Sequence, residues 1–182
     1  MLSVRFQLVR ACVAVTALAA VGVSAPAATA AEAAPAVSAK AGAPARAFAA
    51  ANEASVLASA TVCGDGYEFV DAKALPNADK RYGTLFFYMK GNSACAILDN
   101  NTPGGANFMD LRMYPGDTPS AGERDSGNFS SYAGPVRSST QAAGGRCVTI
   151  TALMKNEAGT SNLINWKGGY VFAVDTPSSP CA

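Results

Sequence analysis

Residues 84–99, TLFFYMKGNSACAILD, set two apolar runs on either side of Gly91-Asn92. Glycine followed by asparagine between such runs signals a two-residue hairpin loop of type II′. With that loop, Lys90 faces Ser93, Met89 faces Ala94, Phe87 faces Ala96 and Leu85 faces Leu98. Side chains alternate along a strand, so Leu85, Phe87, Met89, Ala94, Ala96 and Leu98 share one face. The opposite face carries Phe86, Tyr88, Cys95 and Ile97. It is apolar too, which predicts a hairpin covered on both sides.

The neighbouring segments read the same way. A turn at Cys63-Gly64-Asp65-Gly66 precedes a short strand over 67–71, and 75–79 is a loop. NNTPGGA at 100–106 is a second loop. Residues 107–114 alternate, with Met109, Leu111 and Met113 inward. Residues 115–127 hold prolines, glycines and charges and read as a long exposed loop. A strand over 128–137 bends near Gly134-Pro135. Gly144-Gly145 is a turn, and 146–154 is a strand with Val148, Ile150 and Ala152 on one face. Residues 163–167 extend, Gly168-Gly169 turns, and 170–174 is a last strand. The pattern predicts an all-β antiparallel sandwich or barrel of seven to eight short strands.

The N-terminal third is different. Arg5 and Arg10 precede an apolar stretch over 11–23, and Ala28-Thr29-Ala30 is a small-residue cleavage site. Residues 1–30 therefore read as a secretory signal peptide, and the apolar stretch is too short for a membrane span. Residues 31–60 are dominated by alanine and lack the large side chains that fill a core. They read as an Ala/Pro-rich linker or pro-segment, with a short helix over 46–60 as the weaker alternative. The secreted β domain is placed at 61–182.

Removal of the signal removes Cys12 and leaves Cys63, Cys95, Cys147 and Cys181. Four widely spaced cysteines in an exported chain form a disulfide framework. Three pairings are possible; Cys63–Cys95 with Cys147–Cys181 closes two consecutive loops of similar length. Each bond would contribute about 3–4 kcal/mol. The chain has no histidine and no Cys-x-x-Cys, which argues against zinc and against serine or cysteine hydrolase triads. No metal and no cofactor are expected. Fourteen Lys and Arg against 13 Asp and Glu, without a basic run, give no electrostatic footprint for nucleic acid or an anionic membrane.

Three weaker signals remain. Paired-carboxylate glycoside hydrolysis needs two acids across a cleft, and no pattern here places them. Residues 99–110 partly match a calcium loop, but Pro103 occupies a ligand position and strands flank it. Tyr132, Trp166 and Tyr170 are candidate ligand-binding aromatics that could stack on sugars; packing in the core or at its rim is the plainer and preferred reading of the three.

Several segments resemble a known family. Cys63-Gly64-Asp65-Gly66-Tyr67, Cys95-Ala96-Ile97, residues 126–136 (SGNFSSYAGPV), Gly145-Arg146-Cys147-Val148 and a cysteine beside the C-terminus are similar, in that order, to spore-associated protein A. That family consists of small secreted proteins of mycelial actinobacteria. Trp166-Lys167-Gly168-Gly169 lies further beyond Cys147 than the family's Trp-Gly-Gly. The resemblance implies an extracellular, non-enzymatic protein associated with the spore or cell surface, whose partner is an envelope component. It transfers the cysteine frame and no site residues. A secreted carbohydrate- or peptidoglycan-binding module is the alternative expectation. A secreted protease inhibitor, with its reactive loop in 115–127, is a further one.

Overall fold

The computed structural model describes residues 34–139 and 147–171. The expected signal peptide, the Gly144-Gly145 turn and Cys181 lie outside them. Helices α1 (Ala43–Ala51) and α2 (Glu53–Cys63) are followed by strands β1 (Glu68–Pro76), β2 (Arg81–Lys90), β3 (Ser93–Asn100), β4 (Asn107–Pro115), β5 (Glu123–Phe129), β6 (Tyr132–Ser139), β7 (Cys147–Lys155) and β8 (Asn162–Val171). The strands form two antiparallel four-stranded sheets, ordered β1-β2-β3-β6 and β5-β4-β7-β8.

The β2–β3 hairpin pairs as its residues dictate: Lys90 with Ser93, Met89 with Ala94, Phe87 with Ala96 and Leu85 with Leu98. Gly91 turns with φ +56°, a backbone state open to glycine at little cost. Leu85, Phe87, Ala96 and Leu98 point into the space between the sheets, where they meet Met109, Leu111 and Met113 of β4 and Val148, Ile150 and Ala152 of β7. All ten are buried, so the alternation read from 107–114 and 146–154 holds in the fold.

The outer face of the first sheet is covered as well. Phe69, Phe86, Tyr88, Cys95 and Ile97 pack against Ala45, Ala49 and Val56 of the two helices. Phe48 of α1 lies beside Phe69 and Phe86, with ring centroids 6.3 and 6.1 Å away. The Tyr88 hydroxyl donates to the Val56 carbonyl at 2.7 Å. Backbone bonds from Ser38 N to Phe69 O and from Phe69 N to Ala36 O add the preceding segment to the edge of β1. The expectation of a linker over 31–60 is therefore corrected for residues 34–60, which belong to the packed domain. Alanine buries little area of its own, but its small side chain lets a helix approach an aromatic sheet closely. Here the sheet supplies the large residues.

Cys63, the last residue of α2, is disulfide-bonded to Cys95 on that outer face. The bond ties the helical layer to the sheet. Cys147 is also half of a disulfide; Cys181, its expected partner, lies outside the described residues.

Further boundaries differ from expectation: β1 runs on to Pro76, and the single strand expected over 128–137 is split between β5, which ends at Phe129, and β6, which begins at Tyr132 in the other sheet. Gly168-Gly169 is not a turn, and β8 runs through it. A Cβ on Gly168 would sit 2.3 Å from Cζ2 of Trp166, so the glycine makes room for an indole lying along its own strand. The exposed 115–127 loop is also shorter, because β5 begins at Glu123. The chain passes from the second sheet to the first between β5 and β6, and the two strands stay side by side. The Asp125 carboxylate accepts from Gly134 N at 2.7 Å, and the Glu123 carboxylate accepts from Arg137 N at 2.6 Å.

Candidate functional site

The helices do not cover the whole outer face of the first sheet. At the end of the hairpin far from its turn, Thr84 pairs with Asp99 and Asp99 pairs with Tyr132. These three residues form a row across β2, β3 and β6, in which Thr84 is fully buried and Asp99 and Tyr132 reach solvent on neighbouring strands about 4.8 Å apart.

Tyr132 reaches this row because β6 is bulged. Between the Leu98–Ala133 and Ala96–Val136 pairs, β6 carries one residue more than β3. The bulge falls at Gly134-Pro135, where Gly134 has φ +108° and a Cβ would lie 2.9 Å from the Ala96 carbonyl oxygen. Ala133 and Val136 can then both face the core, and Tyr132 is left outside and 38% exposed. Val37 is the one other large apolar residue exposed to that degree among the described residues.

The polar groups of the row are unevenly satisfied. Arg81 Nε donates to Thr84 Oγ1 at 2.8 Å, and that hydroxyl donates to Asn101 Oδ1 at 2.7 Å. The Arg81 guanidinium also lies over the Phe48 ring, 5.4 Å from its centroid. This anchors Arg81 while its terminal nitrogens make no hydrogen bond among the described residues. The Asp99 carboxylate, half-buried beside it, has neither an ion pair nor a hydrogen bond among those residues. Burial pushes its pKa up to about 6, and the Arg81 charge offsets this only in part. An unpaired carboxylate kept partly out of water costs stability, and groups of that kind cluster at functional sites.

Trp166 and Tyr170 lie elsewhere. They share the face of β8 that looks toward the first sheet, at the sandwich edge opposite β6. The Tyr170 ring stacks on Phe87 with centroids 4.0 Å apart, and its hydroxyl donates to Asp71 Oδ2 at 2.9 Å. Burial, reinforced by the Asp71 charge, holds that phenol well above its ordinary pKa. The Trp166 ring lies under Lys73 Nζ, 5.5 Å from the ring centroid. Trp166 and Tyr170 thus contribute to packing at the β1–β8 edge, and Tyr132 stands apart from them.

Beyond Asp99, the side-chain oxygens of Asn100, Asn107 and Asp110 in the 99–110 loop are engaged within the protein. Asn100 Oδ1 accepts from Thr102 N and Oγ1, Asn100 Nδ2 donates to Asn107 Oδ1 and Phe129 O, and Asp110 pairs with Arg124. Among the described residues no group of three or more acids or cysteines could hold a metal ion. In the 115–127 segment, Pro119–Ala121 is a 3-10 turn. The segment is pinned by Gly116 N donating to Cys147 O and Thr149 Oγ1 donating to Gly116 O. Residues 116–122 thus form a pinned turn, and 123–127 belong to β5.

Comparison of the chain with protein-family models, with curated protein sequences and with solved structures finds no match. The pairing of Asp99 with Tyr132 was not foreseen from the sequence. The available signal was the Gly134-Pro135 pair inside a strand, which marks a bulge without giving its register.

Proposed function

We propose that the chain is a secreted, non-enzymatic protein that associates with the surface of the spore or cell that exports it. The disulfide between the helical layer and the sheet carries the exported half of this reading. Such bonds persist outside the reducing cytosol. No helix among the described residues is long and apolar enough to cross a membrane, which is compatible with it. The non-enzymatic half is supported by the lack of histidine in the chain, which removes the histidine-dependent hydrolase triads.

A second reading, a carbohydrate- or peptidoglycan-binding module, is favoured by the exposure of Tyr132 beside an unpaired carboxylate. Co-sedimentation tests both. Oxidised protein is mixed with washed spores, vegetative cell walls and purified insoluble polysaccharide, and bound protein is measured against free. Selective retention on spores or walls is the expected result. Equal retention on the purified polysaccharide would shift the assignment to the binding module. Protein that stays in the supernatant with every material would refute both readings.

A further inference from the structure

We propose that Arg81, Asp99, Asn101 and Tyr132 form a binding site for a neutral pyranose unit of a glycan, with the buried Thr84 holding Arg81 and Asn101 in place. The inference deepens the glycan-binding reading and rests on it. A pyranose offers an apolar ring face and a rim of hydroxyls that both donate and accept. Tyr132 supplies an exposed ring for the apolar face. Asp99, directly opposite on β3, supplies unclaimed acceptor oxygens. The terminal nitrogens of Arg81 and the amide nitrogen of Asn101 supply donors, because Arg81 engages Thr84 through Nε and Asn101 engages it through Oδ1.

One acid and one base share the site, so it carries no net charge that would favour an ionic ligand of either sign. Phe48 and Thr84 hold Arg81 in place beforehand, so binding does not have to order that long side chain.

The test uses soluble neutral oligosaccharides, cellotetraose and the tetramer of N-acetylglucosamine, titrated into the oxidised protein. Binding is read by calorimetry and by amide chemical shifts. Saturable binding of one of them, with shifts centred on residues 81–84, 99–101 and 132, is the expected result. Tyr132→Ala should weaken it by at least about tenfold, Tyr132→Phe should retain it, and Asp99→Asn should weaken it without loss of fold. Tyr132 is an exposed side chain, so an unchanged melting temperature in Tyr132→Ala confirms that folding is not the cause. Absence of saturable binding by both sugars, or binding that Tyr132→Ala leaves intact, would overturn the assignment. Retention on spores or walls that survives Tyr132→Ala would do the same while leaving surface association standing.

Discussion

Replacement of Asp99 by asparagine should stabilise the protein at neutral pH and do nothing for it in acid. The Asp99 pKa lies near 6 in the folded chain, against an ordinary value of 3.8. Between those values the folded state binds more protons than the unfolded state. Stability from this group is therefore intact below about pH 4, declines as pH rises through about 6, and stays reduced above it. A shift of about two pH units corresponds to about 3 kcal/mol. Solvent reaches the partly exposed side chain, and screening lowers the figure to about 1–2 kcal/mol. Asparagine keeps the shape and carries no charge at any pH. Asp99→Asn should gain about 1–2 kcal/mol at pH 7.5, or roughly 3–6 °C in melting temperature, and nothing at pH 4. Thermal unfolding followed by circular dichroism at pH 4, 5, 6 and 7.5 measures the difference between parent and variant. That difference cancels the contributions of the other carboxylates. A variant no more stable than the parent at pH 7.5, or one stabilised equally at every pH, would refute the account of Asp99 as an unpaired, desolvated carboxylate.

Three other outcomes follow from the packing. A chain beginning at Thr61 lacks α1 and most of α2, which exposes Phe69, Phe86 and Ile97; it should bind a hydrophobic dye and aggregate, and a soluble, cooperatively melting Thr61–Ala182 fragment would show the helices to be dispensable. The Cys63→Ser/Cys95→Ser double variant should lose about 3–4 kcal/mol in denaturant unfolding, given a sequence separation of 32 residues. Gly168→Ala must displace the Trp166 indole and should cost about 1–3 kcal/mol, with a change in tryptophan emission; an unchanged spectrum and stability would contradict the packing described for β8.

The parts of the fold that sequence alone revealed are those where alternation and turn chemistry agree. In 84–99 the loop fixes the register and the side chains fix the faces. In 107–114 and 146–154 the inward rows are simple period-two patterns. The helical layer was legible only as the weaker alternative of a short helix over 46–60, where α1 and α2 lie, because alanine-rich segments carry little apolar area of their own. Its signal lay in the partner, since Phe86, Tyr88 and Ile97 on the second face of the hairpin required a cover. Packing at the core or its rim was legible for Trp166 and Tyr170 from their type, but its geometry was not, because the space for Trp166 comes from a glycine that reads locally as a turn. Tyr132 could be singled out by type. Its juxtaposition with Asp99 depends on where the bulge in β6 falls, and neither local propensity nor spacing gives that register.

The carboxylates of Glu123 and Asp125 have a consequence for how the protein behaves when crowded. β5 and β6 end their respective sheets, and the unpaired amides of such a strand are a template on which a second chain can grow. Here the amides of Gly134 and Arg137 already donate to side chains of β5. An incoming strand would have to displace charged acceptors before it could pair. That seam therefore guards against sheet-to-sheet fusion at high local concentration, the condition a protein meets when many copies gather on one surface.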